Sequence, residues 1–145
     1  MNNVKDFFNA LSYLQYPLIG VSLVYYGFFM LSLVEQELDW RMLNYTLLFY
    51  GISISFSTLQ DTRKTQNKLS ENVWKSPRKG KIFLAMVSLM TLGFIVTGLI
   101  GVMYSQQPIH QELSLGLTVI GIGLVGLLKS AIEMFEHHRI DKNPS

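Results

Sequence analysis

The side chains with the richest chemistry lie together near the C-terminal end of the chain. Glu133, Glu136, His137 and His138 are close in sequence, and the four-residue spacing of Glu133 and His137 would place both on one helix face. Carboxylates and imidazoles in such a group can bind zinc or nickel. They also suit a solvated helix end, where cations complement the helix dipole. We expect the solvated helix end and no bound metal, with Glu133 and His137 as the candidate ligands otherwise.

The rest of the sequence offers little for catalysis. There is no cysteine, which removes thiol nucleophiles, disulfides and iron–sulfur clusters. The histidines flank the apolar stretches, so none is placed to bind a haem inside one. The chain contains no phosphate-binding, dinucleotide-binding or hydrolase motif. We therefore expect no cofactor and no enzymatic activity, and a net charge of +2 gives no reason to expect nucleic acid.

Four long stretches without charged residues or histidine define the fold class. They cover positions 7–34, 42–60, 82–109 and 113–128, and charged residues make up only 15% of the chain. A helix crosses a bilayer with about 20 apolar residues, whereas a soluble core helix carries charges on its outer face. We predict an all-α, polytopic membrane protein: a single domain of four transmembrane helices in two hairpins. The expected spans are 14–34, 42–60, 82–104 and 113–132.

The distribution of lysine and arginine predicts the topology. Seven of the twelve lie in the loop 61–81, namely Arg63, Lys64, Lys68, Lys75, Arg78, Lys79 and Lys81. If both termini share the side of this loop, only Arg41 lies on the other side. The positive-inside rule then places both termini, the loop and the tail 136–145 in the cytoplasm, and we expect a bacterial inner membrane. The loop should attract anionic lipid headgroups, and its apolar residues Leu69, Val73 and Trp74 are candidates for contact with the bilayer.

Prolines and a serine predict where three helices begin. Pro17 favours a bend or a helix start near Tyr16, because proline cannot donate the backbone hydrogen bond of a helix interior. Ser76 followed by Pro77 has the order of an N-cap and a first-turn proline. Pro108 can open the last helix in the same way.

The two predicted hairpins resemble each other in sequence. Val21-Ser22-Leu23 with Gly27-Phe28 recurs as Val87-Ser88-Leu89 with Gly93-Phe94, an offset of 66. A looser match, at an offset of 70, relates Gly51-Ile52-Ser53-Ile54 to Gly121-Ile122-Gly123-Leu124. Both hairpins would start from the same side, so the matches predict a parallel repeat about an axis along the membrane normal. Chance matches between apolar spans remain the alternative explanation.

Small residues recur at helical spacing on several spans. Close backbone approach at such residues drives helix association in lipid, where the hydrophobic effect does not. The third and fourth spans carry Gly93, Thr97, Gly101, Gly116, Gly123, Gly126 and Ser130, and the first span carries Gly20 and Gly27. These faces predict either packing within one bundle or docking of a second protomer or another membrane protein.

The second predicted span is the most polar. Asn44, Gly51, Ser55 and Thr58 share one of its faces, and Tyr25 and Tyr50 are expected near the bilayer midplane. Such a face can line a wet path, but serine and threonine can also bond to carbonyls of their own helix. We expect a non-catalytic accessory or scaffold subunit that oligomerises or docks through its small-residue faces. The alternative is a passive channel or small-solute carrier lined by this polar face.

Overall fold

A computed structural model of the chain describes residues 2–59 and 68–138. Within these ranges all regular structure is α-helical, with no strand. The helices are α1 (Asn2–Ser12), α2 (Gln15–Val34), α3 (Trp40–Ser57), α4 (Lys68–Lys75), α5 (Pro77–Tyr104) and α6 (Pro108–His138). Arg63 and Lys64, and the side chain of Lys68, lie outside the described part, so the headgroup prediction is placed only for the rest of the basic set.

Three helical segments among the described residues are long and apolar enough to cross a membrane. They are Asp6–Val34, α5 and α6, with lengths of 29, 28 and 31 residues. A helix of 20 residues already covers the roughly 30 Å of a hydrocarbon core. By length and composition the chain is therefore a multi-pass membrane protein. Helix α3 is shorter, at 18 residues, and it contains the most polar face.

The predicted helix starts are confirmed at all three prolines. The chain bends at positions 13 and 14 and α2 begins at Gln15, two residues before Pro17. Helix α5 begins at Pro77, with the Ser76 hydroxyl accepting a hydrogen bond from the backbone N–H of Lys79. Helix α6 begins at Pro108. Each proline lies within the first turn, where its missing N–H breaks no helical hydrogen bond.

The four long helices pack side by side in the order α2, α3, α6, α5. Helices α2 and α3 run antiparallel, since Ser22 bonds to Thr46 and Ser53 bonds to Gln15. Helices α5 and α6 also run antiparallel, as Gly98 lies against Thr118 and Gly80 against Phe135. Helices α3 and α6, at the centre, run parallel. Among the described helices, this central contact is the main one that joins the α2–α3 pair to the α5–α6 pair.

Helix α4 closes one end of the α5–α6 pair. Its Trp74 is 6% exposed and meets the ring of Phe83 edge-on, with the ring centroids 5.3 Å apart. Trp74, Ala131 and Phe135 form a buried apolar cluster, which is flanked by partly buried Val73, Leu84 and Met134. The prediction that Trp74 touches the bilayer is therefore wrong, because its indole is enclosed by protein side chains.

Candidate functional site at the α3–α6 contact

The carboxylate and imidazole groups of α6 are engaged in local helix contacts. His137 Nδ1 lies 2.7 Å from the backbone oxygen of Glu133, and His138 Nδ1 lies 2.9 Å from that of Met134. Glu133 Oε1 is 3.9 Å from Lys129 Nζ, whose side chain is 81% exposed. Within residues 2–59 and 68–138, no group of three or more His, Asp or Glu side chains could hold a metal ion. A metal at Glu133 and His137 would have to draw on further ligands.

The polar face of α3 and the small-residue face of α6 pack against each other. A Cβ placed at Gly51 would lie 2.8 Å from the backbone nitrogen of Ile120, and one at Gly123 would lie 2.5 Å from the carbonyl oxygen of Gly51. Two predicted sets of residues thus form one contact. We call it the α3–α6 seam, and it comprises Asn44, Leu47, Gly51 and Ser55 of α3, its C-cap residue Thr58, and Gly116, Val119, Ile120, Gly123, Gly126 and Ser130 of α6.

The side-chain oxygen of Asn44 is a buried polar atom of the seam that lacks a hydrogen-bond partner. The residue is 8% exposed, and its Oδ1 atom is buried without a donor. The atom points at Gly116, where an added Cβ would lie 2.6 Å from Oδ1 and 3.0 Å from Leu47 Cβ. Glycine therefore makes room for the amide at this position but has no side chain that could donate to it.

The hydroxyl groups of the seam bond mostly to backbone carbonyls of their own helix. Ser55 Oγ donates to the Gly51 carbonyl at 3.1 Å, and Thr58 Oγ1 donates to the Ser55 carbonyl at 2.7 Å. Ser130 Oγ donates across the seam to the Thr58 carbonyl at 3.3 Å. This is the local bonding that serine and threonine adopt at low cost in membrane helices. Each of these hydroxyls therefore already has a hydrogen-bond acceptor, whereas Asn44 Oδ1 has no donor.

The two tyrosines of the predicted polar path lie away from the seam. The Tyr25 ring stacks on Phe49 at 5.6 Å and contacts Tyr45 at 5.1 Å, on the side of α3 that faces α2. Tyr50 is 47% exposed, and its position on α3 is about a third of a turn from the line through Asn44 and Gly51. The structure thus brings together Asn44, Gly51, Ser55 and Thr58, but neither tyrosine joins them.

The small residues of α5 point in two directions. A Cβ at Gly101 would meet Ser114 of α6, so this position is packed inside the protein. Gly93 and Thr97 lie on the exposed face, and a Cβ at Gly93 would have no atom within 4 Å. Gly20 and Gly27 of α2 are equally open. The remaining glycines all touch another helix: Gly51, Gly80, Gly98, Gly101, Gly116, Gly121, Gly123 and Gly126.

The described basic residues of the loop surround the junction of α4 and α5. Lys75, Arg78, Lys79 and Lys81 are all exposed, and they lie just before the uncharged stretch of α5. The buried Trp74 fixes α4 against α5 and α6, and so holds Lys75 near that boundary. Sequence reasoning missed this anchoring cluster. The available signal was a tryptophan and a valine in a short amphipathic segment, followed directly by a capped helix.

No protein-family model, no curated protein and no solved structure matches this chain.

Proposed function

We propose that the chain is a four-span accessory or scaffold subunit without catalytic activity, in which α3 forms the fourth membrane span. It docks a second protomer or another membrane protein through the outer faces of its end helices. Helix α3 supports the four-span arrangement because it lies between α2 and α6 along most of its length. Its Ser and Thr hydroxyls bond to backbone carbonyls, which lowers the cost of placing them in lipid.

The observation that carries the docking proposal is the contrast between packed and open glycines. A glycine in a helix costs roughly 0.5–1 kcal/mol relative to alanine, so its use calls for a local reason. Eight glycines have that reason within the chain, since a Cβ would meet another helix. Gly20, Gly27 and Gly93 do not, and all three lie on exposed faces of the end helices α2 and α5. A neighbouring helix from another protein would supply the missing reason.

Light scattering of the purified protein in mild detergent tests this proposal, together with identification of co-purifying proteins. We expect a dimer or larger assembly, or a stoichiometric partner. Gly93→Leu should weaken this association and raise its dissociation constant at least tenfold. The matched control is Leu99→Phe, which adds bulk to an exposed α5 position about 120° around the helix from Gly93. A strict monomer at all concentrations, with no partner, would refute docking.

Asn44 favours one alternative function, a passive channel or small-solute carrier along the polar face of α3. Its buried, unpartnered amide oxygen is the kind of group that lines a hydrated path in a membrane protein. Flux through liposomes containing the protein would measure this activity. Replacement of Asn44 or Ser55 by leucine should reduce the flux, and an unchanged flux in both variants would remove this pathway.

The basic loop supports a proposal about the orientation of the protein in the membrane and about its preference for anionic lipids. We propose that both termini and the α4–α5 junction face the cytoplasm, where Lys75, Arg78, Lys79 and Lys81 attract anionic headgroups. Each well-placed cation contributes about 1 kcal/mol near such a surface. Mass spectrometry of the protein extracted from mixed-lipid vesicles should find anionic lipid enriched. The enrichment should fall when all four residues are changed to glutamine, and should persist in the matched variant Arg41→Gln.

A further inference from the structure

The buried amide of Asn44 has an energetic cost that the closed seam does not offset. A buried acceptor without a donor costs about 1–3 kcal/mol relative to one that is paired. Leucine or methionine at position 44 would fill similar space in the seam without that cost. The residue facing Oδ1 is Gly116, where an added Cβ would lie 2.6 Å away, and glycine has no side-chain donor to offer. The closed seam is thus less stable than an apolar seam of the same shape.

The seam lies between two helix pairs that each have a contact of their own, α2 with α3 and α5 with α6. Ser22 and Ser53 tie α2 to α3 through hydrogen bonds of 3.0 Å each. The α3–α6 contact is more extensive than the α2–α3 contact, so an opening that leaves both pairs intact is confined to one end of the seam.

Water has a short route to Asn44. The residue lies four positions after the start of α3 at Trp40, which corresponds to about 6 Å along the helix axis. Arg41 and Glu112 are exposed near this end of the seam. A molecule entering here needs to pass only about one helical turn before it reaches the amide.

We propose that the α3–α6 seam opens at its Trp40 end and that Asn44 Oδ1 then binds a small, uncharged hydrogen-bond donor. The seam contains no charged residue, so nothing in it would compensate a bound cation or anion. An O–H or N–H group satisfies the amide oxygen without bringing a charge. The donor is either water or a small solute of that chemistry. This inference goes beyond the scaffold role and does not depend on flux through the protein.

The lack of native cysteine allows a direct test with the full chain in liposomes. Leu47→Cys places a thiol in the seam and keeps Asn44, and N-ethylmaleimide labels a thiol only where water reaches it, because the thiolate is the reactive form. We expect measurable labelling. Adding Asn44→Leu should slow the labelling by about 5- to 150-fold, which is the cost of the unpaired oxygen expressed as a ratio of populations. Equal rates with and without Asn44 would overturn the proposal, as would no labelling of a thiol that reacts fully after unfolding.

Two controls keep the result interpretable. Ser22→Ala removes a buried hydroxyl from the α2–α3 contact, on the opposite side of α3, and should leave the labelling rate unchanged. If Asn44→Leu does not fold, Asn44→Met supplies an unbranched side chain that adapts to the same space.

Two added solutes distinguish the sources of the donor. Acetamide carries N–H groups, whereas N,N-dimethylacetamide has a similar acceptor and no donor. Faster labelling with acetamide alone would identify a solute site, because a donor that binds only the open seam raises its population. No effect of either compound would leave water as the donor. Equal acceleration by both would contradict the proposal, since pairing with Oδ1 would then not be the basis of binding.

Discussion

The same chemical change, glycine to alanine, should have opposite effects at Gly51 and at Gly27. At Gly51 the new Cβ would lie 2.8 Å from the nitrogen and 2.9 Å from the Cα of Ile120. Both are backbone atoms, so no side-chain rotation relieves the overlap. Carbon atoms pack best at roughly 3.5–4.0 Å, and α3 and α6 would therefore have to part by about 0.7 Å. At Gly27 no atom lies within 4 Å of the new Cβ.

The magnitude follows from two terms. Overpacking a close contact costs about 1–3 kcal/mol. Replacing a helical glycine by alanine returns roughly 0.5–1 kcal/mol of helix propensity, and this gain is the same at both positions. Gly27→Ala should therefore stabilise the protein slightly. Comparing the two variants cancels the propensity term and isolates the steric cost of closing the seam, about 1–3 kcal/mol.

Thermal unfolding in detergent, followed by circular dichroism, measures this difference. For a chain near this size each kcal/mol corresponds to about 2–4 °C in Tm, so Gly51→Ala should melt several degrees below Gly27→Ala. With the protein held monomeric in excess detergent, Gly93→Ala serves as a second position that is open within one chain and should behave like Gly27→Ala. If Gly51→Ala were as stable as both, α3 and α6 would not be in close backbone contact, and the reasoning from the seam would fail.

Three further predictions concern the α4–α5 end and the topology. Trp74→Ala should lower the free energy of unfolding by about 3–5 kcal/mol and release α4 from α5 and α6. Hydrogen exchange should then become faster in α4, while the amides of α3 stay protected. Ser76→Ala removes the cap from the Lys79 N–H and should cost about 0.5–2 kcal/mol, with faster exchange confined to the first turn of α5. Single cysteines at Ser76 and Gln107, at opposite ends of the α5 span, should be labelled from opposite sides of a sealed vesicle; labelling of both from one side would contradict a membrane-crossing α5.

Much of the helical framework could be predicted from charge and caps alone. Long uncharged stretches indicate membrane helices, because a helix in a soluble bundle carries charged residues on the face that is exposed to water. Ser76 and Pro108 mark helix starts because the local backbone chemistry of a first turn needs no information from the rest of the chain. The positions where helices end beyond the apolar stretch, such as His138 at the end of α6, are harder to predict, because charged and apolar residues are mixed there.

The pairing of faces could not be predicted in the same way. Asn44 and Gly116 each lie on a recognisable stripe, but glycine carries no charge, hydrogen-bond group or shape that selects one partner among several helices. The open and packed glycines also look alike in sequence: Gly93 and Gly101 share a spacing pattern, yet only Gly101 touches α6. Trp74 was misplaced for a related reason, because a tryptophan beside basic residues suits a membrane interface as well as a small protein core.

The packing order bears on the predicted internal repeat. A half-turn about an axis between α3 and α6 would exchange these two helices and would also exchange α2 with α5, as the two offsets require. Gly27 and Gly93 obey this relation, since both lie open on outer faces. The inner helices obey it with a shift: Gly51 packs against Gly123, whereas its sequence match, Gly121, packs against Ile95 of α5. If the hairpin was duplicated, the first helices of the two copies, α2 and α5, kept the same outward face. The second helix of the second copy, α6, is rotated about its axis relative to α3, so that Gly123 and not Gly121 faces α3. The repeat stays a prediction, and under it the open glycines of α2 and α5, which we propose as docking faces, would be equivalent positions at the two ends of one molecule.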